Sequence, residues 1–255
     1  MENLKDYQIF LDKVPALRTG WKIALTVVYL LGLIVSVLLF FYFIDPLRWY
    51  MPLVTQLIMS LIVTLIAYLH FKTVDKYRRK YGELAYQPYF YHFMLPYLVT
   101  WYALVFHPLF IIGPALLPFW VAIILALIFF LIFILVSIHI ERAGFKTITH
   151  GMDLYTVFPE EATIVRGEIY AYIRHPLYLS LTCLCIGLAF IANNLIAIAA
   201  SLLQMVPCII AGKLEDKELI ERSGEEHMTY IQNTALLFPF RKIIRFLRLL
   251  VFFRS

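Results

Sequence analysis

Four stretches of the chain, about 22–44, 51–71, 89–112 and 117–140, run predominantly apolar. Each is as long as the roughly 20 residues that a helix needs to cross a bilayer core about 30 Å thick. A further apolar stretch, about 177–211, is interrupted at Asn193-Asn194. A turn there, in dihedrals that Asn tolerates, makes this stretch a hairpin of two short helices. At roughly 15 to 17 residues each, these helices are a little short for independent spans, which suits a tilted pair or one shielded by protein. The predicted fold is all-α: a polytopic transmembrane helical protein of about six spans, with a C-terminal helical hairpin.

The charged residues between the spans test that count. With both termini cytoplasmic, the inner segments are 1–22, 72–88, 141–176 and 212–255. They hold 4, 5, 4 and 8 Lys plus Arg, which is 21 of the 22 in the chain, and only Arg48 is left outside. Retention of positive charge on the cytoplasmic side is the strongest orientation signal in a sequence. Trp21, Trp49, Tyr50, Trp101 and Trp120 lie mostly near predicted span ends, where an amphipathic ring favours the headgroup zone. Glu2, Asp6 and Asp12 precede the first apolar run, so it does not read as a cleavable signal peptide.

Composition narrows the function classes. The chain is 62% hydrophobic and only 15% charged, against about 25% charge in soluble domains. Its net charge of +5 does not point to nucleic acid, because the basic residues fall between uncharged runs and not on one compact face. Cys183, Cys185 and Cys208 all lie inside apolar stretches, an odd number placed for packing, not for disulfides or zinc. His70, His92, His107 and His139 have no metal-ligand spacing to one another, so no metal site is expected. No Asp or Glu falls in the middle of a span and no repeat of broken helices is visible, which weighs against an ion-coupled carrier.

The chemistry concentrates in 141–176 and 212–240, on the cytoplasmic side. Pro176 suits the first turn of the fifth helix, which places Arg174 and His175 at a helix N-terminus, where free N–H groups favour an anionic group. Lys213-Leu-Glu-Asp-Lys-Glu-Leu219 continues the sixth helix out of the membrane. Folding at Asn193-Asn194 sets residue 175 level with about residue 212, and Glu215 about 4–5 Å further along the axis. Arg174, His175, Glu215 and Asp216 therefore meet at the membrane surface beside the apolar hairpin. Glu218 and Arg222 form an i,i+4 pair that needs no function. The tail places Arg241, Arg245 and Arg248 at helical spacing against Ile, Leu and Phe, as in an interfacial amphipathic helix. Three regions follow: a four-span region at 1–140, a core at 141–240, and a basic interfacial tail at 241–255.

Val165-x-Gly167-x-x-Tyr170-x-x-x-Arg174-His175-Pro176-x-Tyr178-x-Ser180 resembles the core motif of the isoprenylcysteine carboxyl methyltransferase family, which takes in related phospholipid methyltransferases. The downstream Glu215-Asp216-x-x-Leu219, Gly224-Glu225-Glu226-x-x-x-Tyr230 and Phe238-Pro239 resemble it too. The likeness covers about 163–240, and the order and spacing of the short motifs around a helical hairpin make it specific for the superfamily. The chain departs from the pattern at three positions: Ser180 where the family commonly has Gly, Glu215-Asp216 for Glu-Glu, and His227 where a Tyr often follows Gly-Glu-Glu.

The resemblance implies a membrane methyltransferase that uses S-adenosylmethionine without a Rossmann domain. It implies a cofactor pocket at the cytoplasmic face lined by Val165, Gly167, Tyr170, His175, Pro176, Leu177, Tyr178, Glu215 and Asp216. The acceptor would be a lipid-like or lipidated molecule, such as a prenylcysteine carboxylate, reached from the surrounding membrane lipids. Methyl transfer from a sulfonium is an in-line displacement with an activated electrophile, so alignment and exclusion of water dominate. In the expected catalytic pair, Arg174 anchors an anionic group and Glu215 orients donor or acceptor. Two other readings stand beside it. One is an NADPH-dependent membrane sterol reductase, whose helix start is similar but whose downstream Arg-Asp-Glu and Lys-Tyr-Gly-x-x-Trp runs are missing here. The other is a scaffold of the same fold without turnover.

Overall fold

A computed structural model of the chain describes residues 2–145, 154–158, 165 and 167–252. Positions 163, 164 and 166 of the motif stretch, and Arg254 of the tail, lie outside them. The described residues form twelve α-helices joined by short turns. No strand occurs among them, and one parallel bridge pairs Ile173 with Ala235. Five helical stretches are long and apolar enough to cross a membrane: Gly20–Leu47, Met51–Leu84, Tyr86–Phe110, Phe119–Arg142 and Leu195–Ser223. Pro176–Ala192 is equally apolar but shorter. The chain is an all-α integral membrane protein.

Helix boundaries follow local chemistry. After α1 (Glu2–Lys13) and α2 (Gly20–Ile44), α3 (Met51–Tyr81) runs ten residues past the expected end at 71. Nothing in Lys72–Tyr81 breaks a helix, and termination waits for Gly82, whose φ of +55° suits glycine. The third apolar stretch is composite: α4 (Tyr86–Tyr89), a π-turn (Phe90–Met94), then α5 (Leu95–Phe110), with Pro96 at the entry to α5. Proline lacks an N–H and clashes with the preceding turn, and the wider π-turn accommodates it. Helix α6 is Phe119–Arg142 and α7 the short turn Leu154–Val157. The hairpin is α8 (Pro176–Ala192) followed by α9 (Leu195–Leu203) and α10 (Met205–Ser223), with a break at Gln204. Pro207 crowds the carbonyl of Leu203 and explains that break. Helices α11 (Glu225–Asn233) and α12 (Ile243–Phe252) complete the chain.

The short helix α8 is the centre of the bundle. Tyr178, Leu179, Ser180, Thr182, Cys183, Cys185, Gly187, Leu188 and Ala189 on it are all buried, whereas α2 buries none of its residues. Surrounded by α5, α6 and α9, α8 meets protein instead of lipid on most of its surface, which removes the need for full bilayer length. A Cβ on Gly187 would lie 2.6 Å from the Phe130 ring, so glycine permits the close approach of α6. Ser180, in the place where the family pattern has Gly, pairs its hydroxyl with Ser137 of α6 at 2.8 Å. The three cysteines are buried and unpaired as thiols.

Polar ties hold the ends. His107 contacts Asp45 and Gln56, each at 2.7 Å, and Gln56 donates to the Leu104 carbonyl at 3.1 Å, joining α2, α3 and α5. At the hairpin tip Asn193 is left-handed (φ 50°) and its side chain pairs with both backbone groups of Leu117. Asn194 caps α9 by accepting from the Ala197 N–H at 2.9 Å and donates to the Ile111 carbonyl at 2.8 Å. The tail differs from a free interfacial helix. Phe246, Leu249 and Leu250 of α12 are buried against α6 and the Glu168–Ala171 turn, while Arg241, Arg245 and Arg248 stay exposed. One apolar face thus docks on protein, in one cluster with Val136, Ile140, Ile169 and Tyr170, while Ile244, Leu247, Val251 and Phe252 stay exposed.

Removing the Asn194 side chain deletes a helix cap and leaves the Ile111 carbonyl without its donor. Asn194→Ala is expected to cost about 2 kcal/mol of stability, read as a lowered unfolding temperature of the detergent-solubilised protein.

Candidate functional site

The hairpin brings the start of α8 beside the outer turns of α10. Pro176 occupies the first turn of α8, where a missing N–H costs nothing, and His175 precedes it in a non-helical conformation. The segment before it is extended. Arg174 N–H bonds to Ala235 O (2.9 Å), Ala235 N–H to Tyr172 O (3.0 Å), and His175 N–H to Leu236 O (3.3 Å). Arg174 and His175 are therefore fixed by backbone pairing with the chain beyond α11. On the other side Gly212 lets α10 approach, since a Cβ there would lie 3.0 Å from His175 Cδ2.

Six side chains then form one hydrogen-bonded cluster. Arg174 Nε donates to Asp216 at 3.0 and 3.2 Å, and its Nη1 donates to the carbonyls of Ile231 (3.1 Å) and Thr234 (2.5 Å). Those carbonyls end α11, where a cation is favoured by the helix dipole. His175 lies between two carboxylates, with Nδ1 2.8 Å from Glu215 Oε2 and Nε2 3.0 Å from Asp216 Oδ1. The Tyr178 hydroxyl donates to the other oxygen of Glu215. His227 adds a fourth contact to Asp216, at 3.3 Å.

Electrostatics follow from this packing. Burial would lower the His175 pKa, but the Glu215 charge and the bonds to Asp216 and Glu215 outweigh it and raise it to about 9. His175 is thus an imidazolium at neutral pH. Burial, with Tyr230 and Glu215 beside it, pushes the Tyr170 phenol well above its ordinary value. Arg174 and His175 stand opposite Glu215 and Asp216. Access is uneven: the Glu215 side chain is 29% exposed, against 10% for Arg174, 7% for His175 and 10% for Asp216.

Of the residues expected from sequence, Arg174, His175, Tyr178, Glu215 and Asp216 come together, with Pro176 buried beneath them. Tyr170 is buried nearby, its carbonyl accepting from the Tyr230 hydroxyl at 2.6 Å. Val165 and Leu177 pack into the apolar contact among α6, the Glu168–Ala171 turn and α12, and Gly167 is exposed at the start of that turn. Two participants were not singled out as site residues. Gly212 is visible only once α8 and α10 are paired. His227 reaches Asp216 only because Gly224 (φ 57°) turns α11 back against α10.

Two outcomes follow. Asp216→Asn leaves two buried cations without their shared carboxylate and is expected to cost about 3–5 kcal/mol, measured as chemical or thermal unfolding. Because the folded pKa of His175 lies above its ordinary 6.5, its contribution to stability is complete below about pH 6.5 and is lost as pH rises through 9. The unfolding temperature of the wild type should fall between pH 7 and 10, and His175→Gln should flatten that fall.

No curated protein and no solved structure matches the chain. Residues 121–224 match the family of phospholipid methyltransferases. That stretch runs from the first turn of α6 to the glycine after α10. It holds Arg174, His175, Tyr178, Glu215 and Asp216 and leaves α1 to α5 outside. The motif resemblance and the family match overlap on Arg174, His175, Tyr178, Glu215 and Asp216.

Proposed function

We propose that the protein moves a methyl group from S-adenosylmethionine to a lipid-like or lipidated acceptor at the cytoplasmic face of the membrane. The observation that carries this reading is the Glu215 carboxylate. It is the most accessible charge of the cluster, held in one orientation by Tyr178 and His175. A carboxylate flanked by aromatic rings is the chemistry that holds a cation such as a sulfonium or an α-ammonium. When bound, S-adenosylmethionine supplies a methyl group that is already activated. Placement of the cluster on the cytoplasmic side is supported by the 21 of 22 Lys and Arg on the segments joined to that end of the helices.

The side chains divide the work. Both oxygens of Glu215 accept hydrogen bonds, which fixes the plane of the carboxylate and suits it to orient the donor. His175 and Tyr178 keep that carboxylate fixed. Arg174 acts as a positioning residue: its guanidinium contacts Asp216 and the α11 carbonyls, so it secures the cluster in place of the expected role of anchoring a ligand anion. Glycine at 212 keeps α10 close enough for His175 to bridge both carboxylates.

Calorimetry on detergent-purified protein tests this. S-adenosylmethionine and its demethylated product should bind in the micromolar range, with at least a tenfold loss in Glu215→Ala and no binding of NADPH. Binding of NADPH alone would favour a reductase, and binding of neither would favour a scaffold.

A further inference from the structure

The aromatic wall of the cluster extends beyond the matched residues. Tyr178, whose hydroxyl bonds Glu215, lies with its ring 5.2 Å from that of Trp101 on α5, and Trp101 lies 5.3 Å from Tyr97. Trp101 is unlike the other tryptophans. Trp21, Trp49 and Trp120 are 63%, 76% and 74% exposed, as membrane-interface rings are, but Trp101 is 4% exposed. Its indole N–H is sealed from solvent and has no hydrogen-bond partner among the described residues. Buried donors are nearly always paired, because leaving one unpaired carries its full desolvation cost.

A second unpaired donor lies at the same level. Gln56 against Leu104 and His70 against Tyr89 fix the antiparallel register of α3 and α5, which sets Ser60 level with about residue 100. The Ser60 hydroxyl is also buried without a partner among the described residues. Trp101 belongs to an apolar cluster with Met59, Val63, Leu104, Cys185, Leu188 and Cys208. Such a place matches an amphiphile that presents hydrocarbon to the wall and an oxygen to the donors.

We infer that Trp101 donates its indole N–H to an oxygen of the methyl acceptor, so that α5 supplies one side of the acceptor site. This rests on the methyltransferase reading above. The oxygen belongs to an amphiphilic acceptor, as a carboxylate, ester or phosphate oxygen next to the reacting group, and it reaches the N–H when the Tyr97–Trp101–Tyr178 stack opens. The four N-terminal spans, which the motif leaves without a role, then form part of the substrate site.

The test uses the full chain in lipid nanodiscs, with N-acetyl-S-farnesylcysteine and phosphatidylethanolamine as acceptor probes and labelled S-adenosylmethionine. Trp101→Phe keeps an aromatic ring and deletes the donor, together with part of the buried ring volume. The acceptor KM should rise on the order of 5- to 30-fold while the KM for S-adenosylmethionine stays within about twofold. Without acceptor the change in unfolding temperature should be small, since removal of an unpaired donor offsets part of the cost of the smaller ring. The rise in unfolding temperature caused by the acceptor probe, which needs no turnover, should shrink in the same variant. An unchanged acceptor KM and an unchanged acceptor-induced shift would overturn the role of Trp101 alone. A lowered unfolding temperature with an unchanged KM would show a packing residue and overturn it too. Failure of the wild type to bind S-adenosylmethionine would overturn the methyltransferase reading, and this one with it.

Discussion

Asp216 is the constraint on which the cytoplasmic end of the molecule depends. A carboxylate withdrawn from water is tolerated only with close opposite charge and satisfied hydrogen bonds, and Asp216 receives Arg174, His175 and His227. Those partners come from two separate pieces of chain, the approach to α8 and α11, and meet on α10. One buried anion therefore sets the hairpin register, the return of α11 and the position of the 235–236 segment at the same time. Arg174 completes the arrangement by ending α11 with its guanidinium.

The same arrangement separates support from contact. Asp216 and Arg174 face inward and fix geometry. Glu215, one residue along α10, faces partly outward and carries the charge that a cationic ligand can meet. His175 joins the two, bonding one carboxylate with each ring nitrogen. Adjacent acidic residues on a helix point about 100° apart, and this is why a consecutive pair can serve one buried and one accessible role.

The membrane-spanning bundle adds a second layer. α8 is short because α5, α6 and α9 surround it, and its polar residues pair inside that shell: Ser180 with Ser137, Thr182 with Gln204. α2 and α6 present mostly apolar surface outward. The interior polar ties near His107 and near Asn194 join spans that are distant in sequence. These ties make the N-terminal spans part of one body with the hairpin.

Much of this was legible in the chain itself. Apolar runs of bilayer length, the break at Asn193-Asn194 and the charge distribution determined the apolar helical stretches and the ends that carry polar residues, because in a lipid environment the backbone must satisfy its own hydrogen bonds. The spacing of Arg174-His175-Pro176 and Glu215-Asp216 across a hairpin determined that they lie close, since helical rise is constant. Partnership was not legible. Whether Arg174 faces a ligand or Asp216, whether His227 faces solvent or the cluster, and whether Trp101 meets lipid or Tyr178 depends on rotation about the helix axis and on Gly212 and Gly224. One-dimensional patterns of apolar residues do not encode that rotation when both faces of a helix are apolar. Only the packing of α5, α8 and α10 decided it, because close contact between helices leaves room for one set of side-chain directions.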